Sequence, residues 1–183
     1  MPALFSSVLL SMAWAGSENL AANTTTLVPV WQKGKDGFID GSGRMVIAPA
    51  FGSATRFAEG LASAGMEGDY RTTRGYIDRV GRFAVTSQFI GARDFSGGLA
   101  RVTFGDKTEP GRYGKWGYID KTGRLVIEAK FDDVDDFAEG LARVMVGGKY
   151  GFIDQTGVFA IEPFYEYGES FSDGLAVATV SRT

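Results

Sequence analysis

Two short patterns each recur four times in this chain, and the distance between them never changes. Phe-x-x-Gly-Leu-Ala occurs at 57–62, 95–100, 137–142 and 171–176. Gly-Phe/Tyr-Ile-Asp-x-x-Gly occurs at 37–43, 75–81, 117–123 and 151–157. From the first Gly of the second pattern to the Gly before Leu is 23 residues in every copy, which gives repeat cores at 37–60, 75–98, 117–140 and 151–174. Self-similarity at this scale marks an array in which each unit buries its apolar face against its neighbours. Between cores, the step from Leu to the next Gly is 10 residues after Leu141, 14 after Leu61 and 18 after Leu99. From Leu27 to Gly37 it is again 10, so the array begins with half a unit near Leu27 and ends with the matching half near Val180.

Each unit reads as three strands. In the first, Ala100, Val102 and Phe104 alternate with Arg101 and Thr103, as Ala142, Val144 and Val146 alternate with Arg143 and Met145. Such a period of two marks a half-buried strand. The second covers 116–120 and its equivalents. The third covers 124–131, where Leu125, Ile127 and Phe131 are expected to share one face, as are Met45, Ile47 and Phe51 in the first copy. Asp-x-x-Gly between the second and third strands suits a type I turn followed by a left-handed Gly, so Asp40, Asp78, Asp120 and Asp154 read as structural. Phe57, Phe95, Phe137 and Phe171 are expected to plug the space between units, and the recurrent Gly60, Gly98, Gly140 and Gly174 to adopt a conformation closed to other residues. The expected fold is all-β, a set of tandem three-stranded antiparallel units forming an open array. A propeller-like closed array is the alternative.

Lys115-Trp116-Gly117-Tyr118-Ile119-Asp120-Lys121-Thr122-Gly123, followed by Val126-Ile127 and by 137–142, resembles the bacterial WG repeat. The likeness covers 27–180. The signature Trp stands only at Trp116; its counterparts are Asp36, Arg74 and Tyr150. The resemblance implies a β-rich repeat array that mediates interactions, and it carries no catalytic residues with it.

Composition narrows the chemistry. The chain has 183 residues, no Cys and no His, which excludes disulfides, thiol nucleophiles, His bases and His/Cys zinc sites. A formal net charge of −3 argues against nucleic acid as a partner. No Asp or Glu outside the turns stands at a spacing that singles it out, so the chain is not read as an enzyme, with a carboxylate-based hydrolase as the remote alternative. No cofactor is expected. Asp132, Asp133, Asp135 and Asp136 are weak candidates for a hard cation, but the run occurs in one copy only and reads better as a solvated acidic loop.

The two lengthened connections, near 67–73 and 106–113, fall at the same point of their units and are expected on one side of the array. They carry Tyr70, Arg71, Arg112 and Tyr113, residue types favoured at binding hot spots. With Trp116 these are the candidate binding residues. The expected function is non-catalytic binding of a protein partner. The alternative is a carbohydrate or cell-wall module that stacks sugars on Trp116, Tyr113 and Tyr150. Residues 1–16 hold a short apolar run ending in Ala13-Trp14-Ala15, read as an export signal or as an N-terminal cap. The first reading places the protein in the periplasm or outside the cell, the second in the cytoplasm. The run is too short for a stable membrane span.

Overall fold

Neighbouring side chains in the second strand of each unit point into different cores, and this alternation organises the whole array. The computed structural model describes residues 26–66, 73–104 and 114–180. The first sheet is β1 (Val28–Gln32), β2 (Lys35–Ile39) and β3 (Met45–Phe51), in that order and antiparallel. The second is β4 (Ser53–Ala54), β5 (Ala62–Gly65), β6 (Arg74–Ile77) and β7 (Phe83–Phe89). The third is β8 (Gly91–Ala92), β9 (Ala100–Thr103), β10 (Trp116–Ile119) and β11 (Leu125–Phe131). The fourth is β12 (Asp133–Val134), β13 (Leu141–Val146), β14 (Lys149–Asp154) and β15 (Phe159–Tyr165), and β16 (Tyr167–Gly168) with β17 (Ala178–Thr179) forms the last. No sheet closes into a barrel or propeller, so the array is open. Among the described residues there is no helix, hence none long and apolar enough to cross a membrane.

Three expected strands per unit are joined by a fourth. A single residue separates β3 from β4, β7 from β8, β11 from β12 and β15 from β16. The chain thus leaves one sheet and at once starts the next with a two-residue strand. The N–H of each corner residue (Gly52, Ile90, Asp132 and Glu166) donates to a carbonyl of the new sheet. A strand of two residues has no detectable period in a sequence, which is why only three were expected.

The three buried clusters each draw on two sheets. Tyr76 and Phe89 of the second sheet pack with Phe95, Val102 and Ile119 of the third. Tyr118 and Phe131 of the third pack with Val134, Phe137 and Ile153 of the fourth. Phe38 and Phe51 of the first pack with Ala64 and Ile77 of the second. In Gly-Phe/Tyr-Ile-Asp the aromatic therefore faces forward and the Ile backward, the ordinary alternation of a strand buried on both faces. Each forward aromatic meets the Phe of the following Phe-x-x-Gly-Leu-Ala turn at nearly one distance. Phe38–Phe57 is 4.9 Å, Tyr76–Phe95 4.8 Å, Tyr118–Phe137 4.9 Å and Phe152–Phe171 5.0 Å. The Phe residues do sit between successive units. The two tyrosine hydroxyls donate to Arg93 O at 2.6 Å and Asp135 O at 2.7 Å, and burial raises both phenol pKa values.

Glycine at the head of the second strand is required by the third. The pairing runs Trp116↔Phe131, then Tyr118↔Ile127, then Ile119↔Leu125, so β11 bulges over Gly117. A Cβ at Gly117 would lie 2.6 Å from Ile127 O and 2.8 Å from Ala129 N. Gly37 and Gly151 meet the same backbone atoms of their own third strands at 2.6 Å. The bulges also correct the expected face. Ile127 and Phe131 are buried, but Leu125 is exposed, as is Met45. Phe83 and Phe159, at the Leu125 position, pack back on Phe51 and Phe131 of the preceding sheet.

Phe-x-x-Gly-Leu-Ala forms a two-residue hairpin turn. Glu59–Gly60, Gly97–Gly98, Glu139–Gly140 and Asp173–Gly174 all have φ between +50° and +92°, the signature of a type I′ turn. Ala58 and Leu61 exchange both backbone hydrogen bonds around it. The turns are linked along the array. The Glu139 carboxylate accepts from Asp173 N and Gly174 N at 2.8 Å, and that of Glu59 from Gly98 N while pairing with Lys121 Nζ at 3.0 Å. At the last unit the Leu of the motif is 77% exposed, since no described sheet follows to cover it.

The Asp-x-x-Gly turns are as expected. Asp120 Oδ1 accepts from Thr122 N, Thr122 Oγ1 and Arg124 N, and Asp40 repeats this with Ser42 and Arg44. These bonds, led by the Thr122 and Ser42 hydroxyls, pull both carboxyls down to about 2.

Two outcomes follow. Gly117→Ala should cost at least about 2 kcal/mol in urea unfolding, because backbone and not a side chain must move. Gly41→Ala, with nothing within 4 Å, should stay within about 0.5 kcal/mol. Second, a carboxyl depressed in the fold stabilises it above its unfolded pKa and stops doing so as pH falls through the folded value. Urea midpoints should therefore drop between about pH 4 and pH 2. Asp120→Asn should make that drop shallower.

Candidate functional site

The residue before the motif glycine lies at or next to the start of the second strand, and its side chain reaches a neighbouring strand of its own sheet or of the next. Here the four copies differ. Asp36 Oδ2 accepts from Ala54 N at 2.8 Å. Arg74 donates through Nε to Ser63 Oγ at 2.8 Å, through one terminal nitrogen to Ser53 Oγ at 2.6 Å and through the other to Ser63 O at 3.2 Å. The Trp116 ring lies over Gly91, where a Cβ would come within 3.2 Å of it. Tyr150 lies under the Arg143 guanidinium, 4.7 Å from its ring centroid.

Two of these residues share a cleft of about 810 Å³ that crosses three sheets. The second sheet contributes Arg74 and Thr55. The third contributes Arg93, Asp94, Arg101, Thr103 and Trp116, and the fourth Asp132, Asp133 and Asp136. Trp116 is half-buried: one side of the ring rests on the core and the rest lines the cleft. Thr103, expected on the polar face of its strand, is fully buried, and its hydroxyl bonds Gly114 O at 2.9 Å. Arg74 stands at the base of the first lengthened connection, with Thr103 and Trp116 at the base of the second. Both connections therefore leave the sheets beside this cleft. Tyr70, Arg71, Arg112 and Tyr113 lie outside the described residues, as do residues 1–16.

The acidic run is not a solvated loop. Asp133 and Val134 form β12, and the neighbouring carboxylates are engaged by cations. Asp135 stands between two guanidiniums, Arg101 at 3.4 Å and Arg143 at 2.7 Å. Asp136 takes Arg101 Nε at 2.8 Å, while Asp132 pairs with Lys115 and accepts from Gly147 N at 2.8 Å. Lys115 and then Gly147 hold the Asp132 carboxyl below its usual range. Among the described residues no three acidic side chains converge as a metal site would need. The run looked unpartnered in the sequence because its arginines come from other strands, Arg101 more than thirty positions earlier.

Sequence reasoning found Trp116, named Asp133 only as a weak cation candidate, and passed over Arg93 and Arg101. Arg74 was marked only as a departure from the signature Trp. The signal was in that departure: one strand position changes chemistry from copy to copy while everything around it is fixed.

A family model described as a WG containing repeat matches residues 37–70, 75–107, 116–150 and 150–180. No curated protein and no solved structure matches the chain.

Asp135→Asn should lower stability by about 1 kcal/mol or less at low ionic strength, since the pairs it breaks are partly exposed. The loss should shrink in about 1 M salt, where screening acts within a few ångströms. Urea midpoints of both proteins at the two salt levels check this.

Proposed function

The chain belongs to the WG containing repeat family, and on that premise we propose that it is a non-catalytic module that binds an extended segment of a protein partner in the Arg74–Trp116 cleft. One observation carries this reading: a concave surface with a half-buried Trp crosses three sheets where both lengthened connections arise. A groove along a repeat array suits an extended chain, and Trp and Arg are the residue types that dominate binding energy at protein interfaces. Loops mounted on a rigid scaffold are the usual carriers of recognition.

The carbohydrate reading has less support. Sugar stacking needs an open aromatic face, whereas Tyr150 is covered by Arg143 and Trp116 rests partly on the core. Panning the purified protein against linear random peptides, beside a glycan array, separates the two. Peptides should be enriched, and Trp116→Ala should weaken them at least about tenfold, or about 1.4 kcal/mol. That variant removes the aromatic surface that lines the cleft without changing its charge, and its thermal midpoint checks that the fold survives. Glycan binding without peptide binding, or peptide binding indifferent to Trp116→Ala, would overturn the proposal.

A further inference from the structure

The junctions between successive sheets are copies of one another, so each serves as a control for the rest. At the junction of the third and fourth sheets an anion lies between two cations: Asp135, with Arg101 on one side and Arg143 on the other. Counting from the motif glycine, the residue equivalent to Asp135 one copy earlier is Arg93, and the residue equivalent to Arg101 is Ser63. The guanidinium of that earlier junction comes instead from Arg74, which bonds Ser63 and Ser53. The order Arg101, Asp135, Arg143 thus becomes Arg74, Arg93, Arg101. The anion at the centre has been replaced by a third cation, while Asp94 keeps the place of Asp136 beside it.

Of these three, Arg101 is already engaged by Asp135 and Asp136. Arg74 is half-buried, its partners are two hydroxyls and a carbonyl, and among the described residues no carboxylate lies within ion-pair distance of it. Desolvation lowers its pKa and the Arg93 charge adds to that, while the charges of Asp94 and Asp36 work against it from farther off. Arg93 is exposed, and its side chain makes no ion pair among the described residues. Both line the cleft beside Trp116. A partly desolvated guanidinium pairs best with a planar oxyanion, and two guanidiniums facing one space reinforce that preference.

We propose that Arg74 and Arg93 together bind a carboxylate of the partner segment, which takes the place that Asp135 holds at the next junction. This rests on the cleft being the partner site and adds the chemistry of what it takes: an acidic segment of polypeptide.

The test follows the Arg Nε–Hε and Trp Nε1–Hε1 resonances of the full chain during titration with hexaglutamate, hexalysine or inorganic phosphate. Hexaglutamate should shift Arg74, Arg93 and Trp116 saturably, and hexalysine should not. Arg93→Asp rebuilds the arrangement of the next junction, so it should weaken hexaglutamate at least about tenfold while raising the thermal midpoint. Arg93→Gln should weaken binding without that gain, and it keeps the comparison open if the Asp variant folds poorly. Hexaglutamate binding that leaves Arg74 unmoved, phosphate binding in its place, or Arg93→Asp binding like the parent chain would each overturn the inference. Neutral peptides that still bind and remain sensitive to Trp116→Ala would overturn it while leaving the proposed function standing. Loss of all peptide binding would remove both.

Discussion

A bare glycine at the head of the second strand is what lets each sheet take its shape. Because Gly117 has no Cβ, the carbonyl of Ile127 and the backbone of Ala129 can lie directly on it, and the third strand can bulge twice within a few residues. Bulges bend a strand and sharpen its twist. The strand then reaches its corner pointing toward the next sheet, where one residue suffices to change sheets. Tyr118 and Ile119 are delivered to opposite faces and become halves of different cores. The aromatic pairs and the corner hydrogen bonds presuppose that bend.

Around this constraint the array uses one set of contacts repeatedly and varies a few. The aromatic pair is kept in all four copies within a few tenths of an ångström. The residue before the motif glycine is different in each, as are the charges set against it. Positions that hold the fold and positions that can recognise a partner are therefore separated along each strand by a single residue. A Trp can stand at 116 or an Arg at 74 without disturbing Gly117 or Gly75, because the side chain leaves the sheet toward the cleft.

Much of this was legible in the residues alone. Four identical 23-residue spacings gave the array, the hairpin glycines and the aspartate turns, since each depends on local backbone geometry that a sequence records directly. The two-residue strands were not legible, because nothing in Ser53-Ala54 or Gly91-Ala92 sets them apart from a loop. Leu125 was assigned to the core by parity, and the bulge that turns it outward rests on pairing with another strand. The acidic run was misread for the same reason: Asp135 is explained by Arg101 and Arg143, and the sequence places neither beside it. The cleft depends on three sheets at once, and the chain announces it only through the changing residue at 36, 74, 116 and 150.

Since every buried cluster is built from two sheets, the segment that repeats in the gene is out of step with the body that coheres in the protein. A breakpoint anywhere in a repeat cuts through one cluster. A duplication whose two breakpoints fall at equivalent positions restores that cluster with the front half of one copy and the back half of the next. An array of this kind can therefore lengthen or shorten by recombination at any phase, with no new interface to invent. Each added length would bring one more variable position at a junction of its own.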